Sequence, residues 1–410
     1  MNGTASRMAR PHEKLCVMNG TVDDGPLDGI LVLDLTRALA GPHAGMMLGD
    51  LGARVIKVES PTGDDSRGWG PPFVGEGNER ESTYFLSANR NKESITLNLK
   101  DESDNEILAR LVSRADVLLE NFRVGVLDRL GFSVEHLHEL NPRLVILSIT
   151  GFGHDGPEAS RSGYDQIAQG EAGLMSVTGS NPDEPTKVGV PIADLLAGMN
   201  GAYGVVAALY ERERTGRGRV VHTSLIAGII GVHAFQGTRW TVGHEVPGPS
   251  GAHHSAIAPY GLFHTASSPI QLSCGSESLW RSFAPLVGVD PHVARFATNG
   301  GRVAHRDELI ALIEDVFTDE PAEHWLALLA DIGIPAGKVR TIDEVYEWDQ
   351  VKSQGLLIEV DHATQGRLSL PGPVLRFDDN PFGGGRPHND APPTLGQHNE
   401  SIRGWLDETQ

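Results

Sequence analysis

ILVLDLTRALAGPHAGMMLGDLGARVIKVES, residues 30–60, holds two apolar runs separated by a glycine-punctuated segment of helical spacing. ILVLDLT (30–36) reads as a strand buried on both faces, because its apolar residues run on instead of alternating. AGPHAGMMLGDLG (40–52) reads as a helix and ARVIKVES (53–60) as a second strand, so the stretch is a βαβ unit. The alternation continues downstream. SITLNL (94–99) predicts a strand, 101–114 a polar-faced helix, and ADVLLEN (115–121) and LVILSIT (144–150) two more strands. Parallel neighbours need crossover helices, so this pattern predicts an α/β fold with a mostly parallel sheet covered on both faces.

Residues 194 to 213 predict one long helix ending in the charged stretch ERERTGRGR. Helical and mixed segments follow to 245, then a Gly/Pro/Ser/His-rich stretch (247–275) that ends in a strand, IQLSC (270–274). IGIPAGKVRTIDEV (332–345) resumes α/β character before a Pro/Gly-rich tail (383–397). The expected organisation is a disordered leader (1–26), the N-terminal part of a large domain (27–224), a small α/β domain (225–330) and a C-terminal linker and segment returning to the large domain (331–410). Met8 and Met18 are alternative starts.

At 410 residues, with 39% hydrophobic residues, the chain has material for a sizeable core. No run of about 18 apolar residues predicts a membrane span. The formal charge of −20 argues against nucleic acid and anionic membrane as partners, while leaving room for local cations around a small anionic ligand. Cys16 and Cys274 are too few for a disulfide framework or a thiolate metal site, which fits a reducing cytoplasm. His253 and His254 are adjacent and would face opposite ways on extended backbone, so no metal is expected.

GFGHDG (151–156) matches G-x-G-x-x-G after a strand, but Pro157 and EASRSG follow where a dinucleotide fold needs a helix. It reads instead as a glycine-rich loop at the carboxyl end of a strand. No G-x-S-x-G elbow is present, and GGG (383–385) among prolines reads as a linker. NRNKES (89–94), ENFRVG (120–125) and Arg129 put basic residues at strand ends, which predicts an anion-binding rim. VGVPIADLLAGMNGAYG (188–204) has one acid, Asp194, where an apolar run with Pro191 enters the long helix. Spacing alone favours an N-cap, and a carboxylate placed for chemistry is compatible with it.

Several of these stretches together resemble the family III CoA-transferases (CaiB/BaiF, formyl-CoA transferase family). The resemblance rests on VLDLTRALAGPHAGMMLGDLGARVIKVESP (32–61), NRNKESITLNLK (89–100), DVLLENFRVGVLDRLG (116–131), NPRLVILSITGFGHDGP (141–157), GYDQIAQGEAGLMSVTG (163–179), VPIADLLAGMNGAYGVVAALYERERTGRG (190–218) and PPTLGQHN (392–399). GDDSRGWGPPF (63–73) and ESTYFLSANRNKESI (81–95) look closest to its succinyl-CoA–dicarboxylate (succinate–hydroxymethylglutarate) members. The resemblance implies a Rossmann-like large domain built from both termini, a small domain between, and an interlocked-ring homodimer. It implies Asp194 as the catalytic carboxylate, and coenzyme A or acyl-CoA as substrate with no permanently bound cofactor. CoA contacts fall on Ala38, Leu39, Leu97, Lys100, Asn121, Phe122 and Arg129. Ser60 and Ser162 stand where the family has basic residues, with Arg161 next to the second.

The implied chemistry exchanges one thioester for another, and a carboxylate nucleophile matches acid substrates. A helix N-terminus is expected to keep Asp194 ionised, and Ala197, Gly198, Gly201 and Ala202 to let another element pack closely. Candidate residues for the substrate pocket are Tyr164, Arg67, Arg239 and His253. The rival reading is an α-methylacyl-CoA racemase, whose G-H-D motif supplies a second acid/base; here the motif is GYD (163–165), and a phenol with a pKa near ~10 is a poor base. A CoA-binding protein without turnover is the other alternative.

Overall fold

The computed structural model describes residues 25–377 and 384–408. Most of the leader, residues 1–24 with Cys16, Met8 and Met18, and Gly383 of the GGG stretch lie outside the described residues. Six strands form one sheet: β1 (Leu31–Asp34), β2 (Arg54–Glu59), β3 (Lys92–Thr96), β4 (Val117–Glu120), β5 (Val145–Thr150) and β6 (Val220–Ser224). Their order is β3-β2-β1-β4-β5-β6 and every pairing is parallel. The order reverses between β1 and β4, the point where doubly wound sheets open a crevice at their carboxyl ends.

The apolar runs behave as their lack of alternation implies. β1 and β4 are buried at all four positions, with one face packed in the core of Val32, Leu119 and Leu147, and the other in that of Leu33, Ile56 and Ile146. The strand expected over 94–99 is shifted to 92–96, so Lys92 is inside the sheet. The helices Ala40–Asp50 and Glu102–Val112 fall close to their expected places.

The long helix runs Ile192–Thr215 and begins two residues before its predicted start, because Ala193 is itself buried in the first core. By length and apolarity it would suffice to cross a membrane, yet Ala193, Ala197, Val205 and Leu209 are core residues here. Gly198 lets the first helix cross it closely: a Cβ there would stand 2.5 Å from the Ala40 carbonyl oxygen. Any side chain would push the two helices apart.

A third core gathers residues from Ala258 to Ile334 around Trp280, Phe283 and Phe317. Its sheet is β7 (Tyr260–Phe263), β8 (Ile270–Ser273) and β9 (Ala336–Lys338), all antiparallel. The helix Leu225–Gly231 sends Leu225 and Ile229 into the first core. Residues 336–338 pair with β8, and the chain returns to the large sheet after them. That return is made by the tail. The His398 amide donates to the Ser94 carbonyl at 2.9 Å and the Ser94 amide to His398 Nδ1 at 3.1 Å, Asn399 Oδ1 accepts the Thr96 amide at 2.8 Å, and the helix Asn399–Glu408 buries Ile402 and Leu406. The tail thereby covers the open edge of β3. A hairpin, β10 (Leu357–His362) and β11 (Gly366–Pro371), packs nearby on Leu86.

Candidate active site

At the switch point the chain leaving β1 and the chain leaving β4 are clasped by one amide. Asn121 Oδ1 accepts from the Arg37 amide at 2.9 Å, and its Nδ2 donates to the Arg37 carbonyl at 2.8 Å. Beside this clasp lies a cavity of about 500 Å³. Its walls include Arg37–Ala40, Asn121–Val124, Trp69, Tyr84, Arg161–Gln166, Lys187 and Asp194. Gly151 and Gly163 let the two adjoining loops touch, since a Cβ on Gly151 would meet Gly163 Cα at 2.7 Å. That contact seats the GYD motif over the carboxyl end of β5.

The β1 loop is held from below by buried charge. Lys57, fully buried, reaches Asp64 Oδ2 at 2.9 Å and donates to the Thr36 carbonyl at 2.9 Å. Asp64 Oδ1 accepts from the Ala38 amide at 3.1 Å, fixing Ala38 at φ 67, a left-handed conformation that costs a non-glycine residue on the order of 1 kcal/mol. Lys92 is likewise buried on Asp34 at 2.8 Å, and Arg90 on Asp50 at 2.6 Å. The expectation that NRNKES forms an anion-binding rim is therefore corrected, because its cations neutralise internal carboxylates. ENFRVG does reach the cavity, through Asn121, Phe122, Arg123 and Val124.

Asp194 is half-buried in the cavity wall. It is the third residue of the long helix, not its cap: Pro191 holds the cap position, and the Ala193 amide is taken by Asp165 Oδ1 at 2.8 Å. Among the described residues no side chain or amide donates to the Asp194 carboxylate. Burial pushes its pKa up to about 7, and the negative charge of Asp165 pushes the same way. Burial and the Asp165 charge thus work against the ionised form that the helix N-terminus was expected to favour.

Asp165 is the group that the GYD motif contributes structurally. Its Oδ2 accepts from Gln169 Nε2 at 2.7 Å, and Gln169 Oε1 accepts from the Val188 amide at 2.9 Å. One fully buried glutamine and one aspartate thus pin both ends of Val188–Ala193, the segment that presents Asp194. Trp69 and Tyr84 form an edge-to-face pair at 4.9 Å in the same wall. Burial, with Asp194 and Asp165 behind it, pushes the Tyr84 phenol up to about 12, so it remains a hydrogen-bond donor. Tyr84, Trp69, Asp165, Gln169 and Lys187 are not among the sequence-derived candidates. GYD and the aromatics of GWGPPF and STYF were the only signals for them.

The other candidates separate. Ala38, Leu39, Asn121, Phe122 and Tyr164 line the cavity with Asp194. Leu97 is buried in the second core, while Lys100 and Arg129 are exposed outside the cavity wall. Arg67 is not in the pocket: it pairs with Glu59 at 2.7 Å and lies over Phe85. Arg239 pairs with Glu245 in the segment after its own helix, and His253 packs edge-on against Phe263 of the small unit. His154 stacks on His222 with ring centroids 3.7 Å apart, and neither lines the cavity. Ser162 and Arg161 do line it, whereas Ser60 turns back to Thr62 and the Gly63 carbonyl. Residues 151–163 contain no helix, in keeping with a loop and not a dinucleotide fingerprint. No cluster of three or more metal-ligating side chains occurs among the described residues.

The family model for CoA-transferase family III matches residues 27–399. The chain belongs to CoA-transferase family III. It is 37% identical over 380 residues to human succinyl-CoA:glutarate CoA-transferase, covering 92% of this chain and 85% of that one. It is 39% identical over 363 residues to acetyl-CoA:oxalate CoA-transferase of Acetobacter aceti, covering 87% and 90%. Among solved structures, a CaiB/BaiF family protein from Brucella suis superposes with a TM-score of 0.83 at 40% identity, covering 94% of this chain and all of that one. The chain is therefore an enzyme of the CoA-transferase type, with CoA thioesters and carboxylic acids as its substrate classes.

Proposed function

We propose that this enzyme moves CoA from succinyl-CoA to a dicarboxylic acid acceptor through covalent intermediates on Asp194. The observation that carries the reading is a carboxylate left without a donor in the cavity at the sheet's switch point. The names of its relatives, among them succinate–glutarate CoA-transferase of Agrobacterium fabrum at 36% identity, supply the substrate class.

Asp194 attacks the donor thioester carbonyl, forming an aspartyl–acyl anhydride as the C–S bond breaks and CoA thiolate leaves. The thiolate attacks the aspartyl carbonyl, giving an aspartyl-CoA thioester and releasing the donor acid. The acceptor carboxylate attacks that thioester, again expelling thiolate, which then takes the acceptor acyl group and frees Asp194. No water is consumed and no net proton moves. Each step develops an oxyanion, and the neutral Tyr84 phenol is a donor in the cavity wall for that charge. A pKa near 7 makes Asp194 a stronger nucleophile than an ordinary aspartate, with about half of it ionised at neutral pH. Against the racemase reading, the histidine of its G-H-D motif is Tyr164 here, and His154 stacks on His222 outside the cavity wall.

We also read the enzyme as a cytoplasmic homodimer. Tyr203 and Tyr210 on the long helix, and Trp240, Val242 and Val246 beyond it, are more than half exposed. Apolar surface of that extent favours a second copy, and an interlocked ring is the form the family resemblance implies.

Incubation with succinyl-CoA alone, followed by acid quench and peptide mass analysis, should show CoA joined to the peptide carrying Asp194, released by hydroxylamine as the Asp194 hydroxamate. No adduct, or an adduct elsewhere, would sink the mechanism; saturable CoA binding without exchange would make the protein a binder. The pH profile is a second check. Since the carboxylate is the reactive form, kcat/KM for the donor should fall tenfold per unit as pH drops below about 7. Asp165→Asn should move that limb to lower pH, although its new amide would face the Gln169 Nε2 donor. A limb in the ordinary aspartate range, below about 5, contradicts the assignment.

A further inference from the structure

Among the described residues, the cations lining the cavity are Arg37, Arg123, Arg161 and Lys187. Arg37 faces Asp65 at 3.4 Å, and Arg161 is shared by Glu158 at 3.0 Å and Glu171 at 2.5 Å. Among the described residues, Arg123 and Lys187 have no carboxylate partner, and the Lys187 Nζ donates to the Val188 carbonyl alone, at 3.3 Å. Arg123 belongs to the Asn121–Val124 wall. Lys187 belongs to the wall that carries Asp194, seven residues before it in the chain.

That wall is braced. Val188, next to Lys187, hangs on Gln169; Gln169 hangs on Asp165; Asp165 holds Ala193, next to Asp194. Three hydrogen bonds therefore fix the backbone of the free ammonium relative to that of the free carboxylate. The cavity also contains Asp65 and Asp165. An acceptor whose near carboxylate meets Asp194 brings a second negative charge beside these carboxylates, and an exposed ammonium at the rim offsets the like-charge repulsion. A lysine on a flexible four-carbon stem suits the task, because it follows acids of different length.

We propose that Lys187 receives the distal carboxylate of the acceptor acid and sets the preference for dicarboxylic over monocarboxylic acceptors. This rests on the reading of Asp194 as the nucleophile for a dicarboxylate acceptor. The test compares glutarate with valerate, which has the same carbon chain and one carboxylate fewer, using succinyl-CoA as donor. In Lys187→Met the KM for glutarate should rise about 10- to 100-fold with kcat changed much less, as expected for loss of one charge-assisted contact. The ratio of kcat/KM for glutarate over valerate should collapse toward one, and Lys187→Arg should restore most of it. An unchanged ratio, an equal fall for both acids, or the same split produced by Arg123→Met overturns the proposal. Exchange by the wild type with no preference for glutarate also overturns it, while leaving the Asp194 mechanism standing. Absence of exchange with either acid removes the mechanism itself.

Discussion

Asp194→Asn is expected to lower CoA transfer by about 10³-fold or more and, at pH 8, to raise the melting temperature by a few degrees. The first effect follows from losing the nucleophile. The second follows from the position of its pKa, raised by burial and by Asp165 from 3.8 to about 7. Below pH 4 the group is protonated in both folded and unfolded chains and costs nothing. Between about 4 and 7 the folded protein still holds a proton that the unfolded chain has released, so folding loses stability as pH rises. The full cost is present above 7. Each pKa unit corresponds to 1.36 kcal/mol, and because Asp194 is half-buried we discount the total to about 2 kcal/mol. An uncharged asparagine of the same shape escapes that cost. Thermal melts at pH 8 and pH 5.5 check the sign: the gain must shrink at the lower pH. Equal gains at both, or transfer activity surviving the substitution, contradict a strained nucleophile.

The large sheet was legible because its strands are buried on both faces. ILVLDLT and ADVLLEN have no alternation to misread, and the crossover segments between them are long enough only for helices. Charge was harder to place. Lys92 and Glu93 are neighbours in sequence, but on a strand they point to opposite faces. Only the register against β2 shows that Lys92 turns inward to Asp34 while Glu93 pairs with Arg54 at 2.7 Å. NRNKES therefore reads as a basic rim in sequence and is an internal ion-pair layer in space. The helix Leu225–Gly231 is apolar without a stripe, so its pattern could not say which of two cores it joins. In the site, Asp194 stood out through its motif company, but its electrostatics did not. The charge that perturbs it, Asp165, comes from a different helix, and its bracing partner Gln169 has no signature of its own. Lys187 carries no motif in SNPDEPTKVGVP (180–191), and only its place in the cavity lining singles it out.

Lys57→Met should cost about 3–5 kcal/mol of stability, the usual penalty for removing one partner of a buried ion pair, and should raise the KM for acyl-CoA in whatever protein remains folded. Lys57 is fully buried, and burial alone would push its pKa down. The surrounding carboxylates Asp34, Asp64 and Glu59 outweigh that and push it up, so it stays charged. Methionine fills the space but leaves Asp64 facing a neutral chain and the Thr36 carbonyl without its donor. The damage is directional, because the same Asp64 holds the amides of Ala38 at 3.1 Å and Ser66 at 2.9 Å. With Asp64 driven to protonate or reorient, Ala38 loses the contact that keeps it left-handed, and the Arg37–Ala40 wall of the cavity relaxes. Lys57→Met/Asp64→Asn separates charge from shape: asparagine keeps an oxygen for both amides and removes the unpaired charge. Urea unfolding should show the double variant more stable than Lys57→Met, with a coupling energy of about 1 kcal/mol or more. Additive losses, or a Lys57→Met protein within about 1 kcal/mol of wild type, would mean that the loop is held by its backbone alone. The donor KM gives the functional half of the result. If Ala38 is positioned through Asp64, KM recovers in the double variant together with stability.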